Sequence, residues 1–251
     1  MSTLEWALVT LILCLGGIVK GVIGFGLPAF SIPFLALILG PRNAVVMLSI
    51  SIVLTNLDNV RRDLSEWRNI SRVLPYFIFG GVCVPLGVIF LQQGNPDLVR
   101  LIIGLAIYFN LVVRRYIPEM GGLGANTRRG IGAGCGFLAG FLAGMANIPA
   151  PVSIVYFTMF DISKNTFIFL VNAFNTLTIG VAVTTFALSG EYTPATLSRA
   201  SVALIPVYIG FWVGFRLREK LSQEKFFRFV RWGLFGIASV LILRSIWKFI
   251  Y

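Results

Sequence analysis

The sequence contains no histidine and only ten acidic residues among 251. Without histidine the commonest proton shuttle and metal ligand are missing, and no HExxH-type metalloprotease pattern exists. Cys14, Cys83 and Cys135 are scattered through apolar stretches with no CxxC or metal-ligand spacing, so they read as packing residues. No metal or other cofactor is expected. No basic segment precedes the first apolar run, which carries Glu5 on its flank, so a cleavable signal peptide is not expected. Charged residues make up only 12% of the chain.

What fills the chain instead is apolar: 57% of residues, with a mean hydropathy of +0.87. A soluble domain of this size could not hide so much apolar surface. The runs are continuous, which argues against a β-barrel, and many reach the ~20 residues needed to cross a hydrocarbon core of ~30 Å as helices. The expected fold is an all-α polytopic membrane protein. The runs cover 4–24, 28–39, 43–60, 72–91, 98–117, 129–147, 150–160, 164–189, 197–217 and 227–250. Two of them, 28–39 and 150–160, are too short to span and read as half-helices or re-entrant segments.

The net charge of +11 lies between the apolar runs. That is where the positive-inside bias puts it, and no soluble basic domain exists to bind nucleic acid. Arg61, Arg62, Arg68 and Arg72 mark one cytoplasmic loop. Arg114, Arg115, Arg128 and Arg129 frame a second, and Arg216, Arg218, Lys220, Lys225, Arg228 and Arg231 surround a third. The nearly uncharged loops at 92–97 and 190–196 belong outside. This count gives five segments on each side of a central linker, so the second half enters the membrane upside down. Arg244 and Lys248 fall near the outer face in this scheme and must snorkel.

An internal repeat fits that count. GGIVKGVIGFGLP (16–28) resembles CGFLAGFLAGMANIP (135–149), pairing Gly17 with Gly136, Gly21 with Gly140, Gly24 with Gly144 and Pro28 with Pro149. Each is followed by a short apolar run, then by a span carrying asparagine (LTNLDN at 54–59, NAFNTLT at 172–178). SRVLPYFIFGGVCVPLG (71–87) resembles SRASVALIPVYIGFWVG (198–214). The halves are 1–117 and 129–251, joined by a linker at 118–128. Inverted repeats with broken segments at matching places are a transporter signature.

These features resemble the TauE/SafE sulfite exporter family, over nearly the whole chain. The resemblance carries the glycine-rich first helix closed by proline, the short second segment and its echo after the linker. It implies a carrier of small sulfur-containing anions, sulfite or an organosulfonate, in the bacterial inner membrane. The partners expected are that anion, membrane lipids and, left open, a second copy of the chain. The alternatives are a membrane scaffold or assembly factor, and an intramembrane enzyme built on a Ser–Lys pair that no motif supports.

The candidate site residues follow from the breaks. Gly24, Gly26, Pro28, Pro149 and Pro151 interrupt helices and free backbone groups, tolerated at membrane depth only beside protein or a wet cavity. Helix N-termini starting there would point N–H groups at an oxyanion in a shared midplane chamber. Ser31 and Ser153 could add hydroxyls, and Asn56, Asn147, Asn172, Asn175 and Thr176 could add neutral donors. The plain alternative for the asparagines is interhelical hydrogen bonding, and for the glycines close helix packing. Lys20 either snorkels to the interface or lines a cytoplasmic vestibule. The loop assignment predicts that cysteines placed at positions 66 and 122 react with an impermeant thiol reagent from the cytoplasmic face and one at 94 from the other. Labelling of 66 and 94 from the same side would contradict it.

Overall fold

A computed structural model describes residues 3–113, 124–218, 235–236, 238–243, 245 and 247. Arg114, Arg115, Lys220, Lys225, Arg228, Arg231, Arg244 and Lys248, position 122 and most of the run at 227–250 lie outside them. The described residues form no strand. Nine α-helices follow in order: α1 Thr3–Ile23, α2 Leu27–Leu39, α3 Pro41–Arg62, α4 Leu74–Gln93, α5 Pro96–Val113, α6 Ala125–Ala146, α7 Ala150–Thr158, α8 Lys164–Leu188 and α9 Pro194–Leu217. A 3₁₀ helix, Leu64–Val73, leads into α4. Six stretches among them are long and apolar enough to cross a membrane. The two short runs are helices of 13 and 9 residues, α2 and α7. The 3₁₀ helix is the element not anticipated: the arginines of 61–72 read as a loop, yet Leu64 and Trp67 give the segment an apolar side.

Two helix pairs make the tightest contacts, and glycine is the reason. A Cβ on Gly17 would sit 2.3 Å from the Val207 carbonyl oxygen, and one on Gly21 would sit 2.3 Å from that of Phe211. In the other pair a Cβ on Gly140 would lie 2.0 Å from the Gly80 oxygen, and one on Gly144 2.1 Å from that of Val84. Thus α1 lies backbone-to-backbone on α9, and α6 on α4. Numbering rises together along both pairs (Cys14 with Gly210 and Ile18 with Gly214; Tyr76 with Gly136 and Val84 with Gly144), so each is parallel. Small residues allow this approach, and in lipid the gain comes from packing rather than from the hydrophobic effect.

The two contact sets correspond at a spacing of 123 residues: Gly17 with Gly140, Gly21 with Gly144, and the left-handed residues Gly24 and Asn147 that follow each helix. The sequence pairing above aligns Gly17 with Gly136 instead, one helical turn away. Glycines recur every four positions at 136, 140 and 144, so an alignment slips by a turn without losing a match.

Between the pairs, α3 and α8 run antiparallel, Asn59 meeting Asn172. The bundle ends sort as the loop charges predict. At one end the Arg42 guanidinium pairs with Glu191, and Gln92 Nε2 donates to the same carboxylate at 2.9 Å. At the other, Thr166 Oγ1 donates to Glu66 at 2.8 Å and Arg62 sits over the Phe215 ring at 4.1 Å. Gly140→Ala is expected to destabilise the detergent-purified protein by about 1–3 kcal/mol through overpacking. Gly180, with open space around it, should tolerate alanine with no loss or a gain of about 0.5–1 kcal/mol. Thermal unfolding of the two variants checks both.

Candidate functional site

The first break separates α1 from α2. Gly24 and Gly26 have φ of 94° and 100°, where a side chain would be strained. The Gly24 N–H still bonds back to the Lys20 carbonyl at 2.7 Å, but its own carbonyl has left the helix. Two amides mend it: Asn59 Nδ2 donates to that oxygen at 2.7 Å and Asn172 Nδ2 at 3.0 Å. Asn59 also donates to Asn172 Oδ1 at 3.2 Å, tying α1, α3 and α8 at one point. One turn earlier, Lys20 is only 1% exposed. Its Nζ donates to Asn56 Oδ1. Lys20 therefore points into the bundle and does not snorkel. With Asn56 Oδ1 held by the amine, Asn56 Nδ2 is buried without a hydrogen-bond partner among the described residues.

The second break is mended from the other direction. Asn147 has φ of 54° and closes α6, its N–H donating to the Ala143 carbonyl at 2.8 Å and the Ile148 N–H to that of Leu142 at 3.3 Å. Asparagine tolerates this left-handed cap better than most residues. Its Nδ2 reaches across to α3, donating to the Val45 carbonyl at 2.9 Å and Ser49 Oγ at 2.8 Å, while its Oδ1 is buried and has no hydrogen-bond partner among the described residues. Tyr192, in the loop after α8, donates to the Val46 carbonyl at 3.4 Å beside this point. Burial pushes its phenol up to about 12, so it stays a donor at neutral pH.

These contacts place the breaks near opposite ends of α3. Asn59 and Ser49 are separated by about 15 Å of helix rise, so the two interruptions do not share one midplane chamber. Each short helix starts beside the end of the long helix it packs on, and that holds the breaks apart. The N-termini also offer fewer donors than expected. Pro28 and Pro151 both fall at the second helical position and remove an N–H there, and the Val152 N–H turns back to the Pro149 carbonyl at 3.2 Å.

The hydroxyls divide from the amides. Ser31 faces Gly16 in the α1–α2 contact. Ser153 bonds Tyr76 Oη at 2.7 Å and the Pro149 carbonyl at 3.1 Å, pinning α7 beneath a Tyr76–Tyr156 stack of 4.6 Å. Thr176 donates to the Asn172 carbonyl of its own helix at 2.8 Å. These three serve packing. Asn175 lies one turn beyond Asn172, level with Asn56 by the antiparallel register, and its Oδ1 is buried with no hydrogen-bond partner among the described residues. The polar interior is thus a seam: Gly24, Asn59 and Asn172, then Lys20, Asn56 and Asn175, then Ser49 and Asn147. Sequence reasoning missed Asn59 and Ser49. The signal for both was spacing, since they lie three and seven residues from Asn56 on one face of α3.

The model of the sulfite exporter TauE/SafE family matches residues 9–242. The chain belongs to the TauE/SafE family. Comparison with curated proteins and with solved structures gave no match. Membership makes this a multi-pass membrane transporter, and the seam is the polar feature that a TauE/SafE transporter of this sequence has inside its bundle. Lys20 is the only charged side chain among the buried described residues, and intramembrane ionisable groups mark ion and substrate paths. Beside it stand amides, whose N–H groups are neutral hydrogen-bond donors. Asn172→Leu should leave the Gly24 carbonyl with one amide partner instead of two and lower the unfolding midpoint by about 1–3 °C. Thr176→Val should not, and thermal unfolding in detergent separates the two.

Proposed function

We propose that this TauE/SafE protein is a secondary carrier or facilitator that moves a small sulfur-containing anion, sulfite or an organosulfonate, out across the bacterial inner membrane. The observation that carries the reading is the seam: one buried amine and five buried asparagines along an otherwise apolar bundle. The path runs from the Gly24 break, past Lys20, Asn56 and Asn175, to the Asn147 break. Anion oxygens are met in turn by the Lys20 amine and by asparagine N–H groups. Gly24, Gly26, Pro28, Pro149 and Pro151 act here by shaping the two mouths rather than by offering donors themselves.

The halves 1–117 and 129–251, joined by 118–128, act as inverted repeats. Contacts recurring at a spacing of 123 residues support this. Alternating access follows if the α1–α9 and α4–α6 pairs move as rigid arms against α3 and α8. Each arm joins a helix of one half to a helix of the other, so neither half moves without the other. The Asn59–Asn172–Gly24 knot and the Asn147–Ser49 contact are the places that must loosen in turn.

Sulfite or a short sulfonate should raise the unfolding midpoint of the purified protein, and chloride at equal ionic strength should not. Asn56→Leu should abolish that shift and cut flux in proteoliposomes at least tenfold with expression retained. Full flux in Asn56→Leu would remove this residue from the path.

A further inference from the structure

The reading above leaves the Arg42–Glu191 pair unused. Glu191 lies in the loop between α8 and α9. The Arg42 guanidinium, in the first turn of α3, meets its carboxylate as a fork: Nε lies 3.0 Å from Oε1 and 3.1 Å from Oε2, and Nη2 donates to Oε1. Gln92 Nε2, at the end of α4, adds a third donor at 2.9 Å. The Arg42 side chain is 53% exposed and that of Glu191 11%, so the guanidinium is the wet side of the pair. The Glu191 backbone is fixed by the end of α8, its N–H donating to the Phe186 carbonyl at 3.0 Å, so release of the carboxylate is a side-chain swing. The next residue, Tyr192, bonds the Val46 carbonyl beside the Asn147–Val45 contact. The fork therefore stands at the mouth made by the second break.

The opposite end of the bundle has a matching acid. Glu66, in the 3₁₀ helix after α3, accepts from Thr166 Oγ1 in the first turn of α8 at 2.8 Å and from Asn69 Nδ2 at 2.9 Å. Glu66 and Glu191, like Arg42 and Thr166, lie close to the repeat spacing of 123 residues apart. At that end the partners are a hydroxyl and an amide; at this end they are a guanidinium and an amide.

We propose that Arg42 and Gln92 form an oxyanion site at the Asn147 mouth, which Glu191 fills as a displaceable internal stand-in for the transported anion. This rests on the carrier reading. An arginine fork matches two oxygens of a sulfonate or sulfite as it does those of a carboxylate. A partly exposed ion pair is held loosely enough for another anion to replace it. An anion leaving the seam takes the place of the Glu191 carboxylate, which turns to water. Among the described residues the loop then keeps one long hydrogen bond to α3, the 3.4 Å contact of Tyr192. Gln92 ends α4 and the Glu191 loop leads into α9, so the exchange also unties the two arms at this end. Anion arrival and opening of the mouth become one event.

The test uses full-length protein in liposomes, with sulfite and sulfoacetate as probes and protein-free liposomes as background. Anion-for-anion exchange gives the half-saturating concentration of each probe. Glu191→Gln removes the competing charge and should lower that concentration at least threefold. Arg42→Gln should raise it at least fivefold, and adding Glu191→Gln to Arg42→Gln should change it no further. A pair that merely braces the loop would shift both single variants the same way. That outcome, an unchanged value in either single variant, or a further change in the double variant would overturn the site and leave the carrier reading standing. If Glu191→Gln does not fold, Glu191→Asp, with a carboxylate one methylene shorter, should also lower the value, and a rise or no change would overturn the site. Absence of exchange with both probes in the wild type would instead bring down the carrier reading. Thermal unfolding in detergent then reads the site alone: sulfite, against chloride at equal ionic strength, should raise the midpoint of Glu191→Gln but not that of the double variant. No rise in Glu191→Gln, or an equal rise in both, would overturn the site as well.

Discussion

Inside a bilayer a backbone carbonyl that leaves its helix must find a donor, because no water is there to supply one. The architecture of this protein turns on that requirement. Two helices stop inside the bundle, and each stop frees backbone groups. At the first, asparagines from α3 and α8 close on the Gly24 oxygen. At the second, backbone N–H groups close the helix end, Asn147 to the Ala143 carbonyl and Ile148 to that of Leu142, and the Asn147 amide reaches across to α3. The two ends are closed differently, and in both cases an amide contact ties the break to α3. A typical interhelical bond of this kind contributes only about 0.6 kcal/mol, so the knots hold geometry more than they add stability. Contacts that weak suit the opening and closing that the proposed alternating access requires.

The glycine pairs supply the stiffness the knots lack. Where a Cβ would fall within about 2 Å of a neighbouring carbonyl, a helix can neither slide nor rotate without a clash. In the proposed cycle, stiff arms beside loosely tied breaks would confine movement to the seam between them. Tyr76, stacked on Tyr156 and bonded to Ser153, extends the stiff region to α7. That hydroxyl therefore belongs to the scaffold.

Much of the fold was legible from the residues. Hydropathy placed α1 to α4 and α6 to α9 within a few residues, and the brevity of α2 and α7 was plain from run length. Arginine distribution grouped the bundle ends correctly, since it reports on exposure to the interface. The expected repeat can be aligned at more than one offset, because glycines four apart look alike from either position. The site was legible only as a set of residue types. Which amide caps a carbonyl and which stands free depends on how α3 and α8 cross, and no local pattern encodes that crossing. Ser31, Ser153 and Thr176 looked equivalent to the asparagines for this reason, yet Ser31 and Ser153 sit in helix contacts and Thr176 bonds within its own helix. Lys20 was ambiguous because its four-carbon stem can reach the interface or the interior. The partner that decides, Asn56, is 36 positions away.

The α1–α9 pairing also bears on how the protein is made. The first helix leaves the ribosome long before its partner: some 170 residues separate Ile23 from Pro194, roughly 10–30 s of synthesis at ordinary rates. Through that interval the face of α1 that carries Gly17 and Gly21 waits for the helix that covers it. The α4–α6 pair closes much sooner. A nascent chain of this shape must keep its opening segment unassembled until nearly the last span has emerged, and it depends on the insertion machinery to shelter that segment meanwhile.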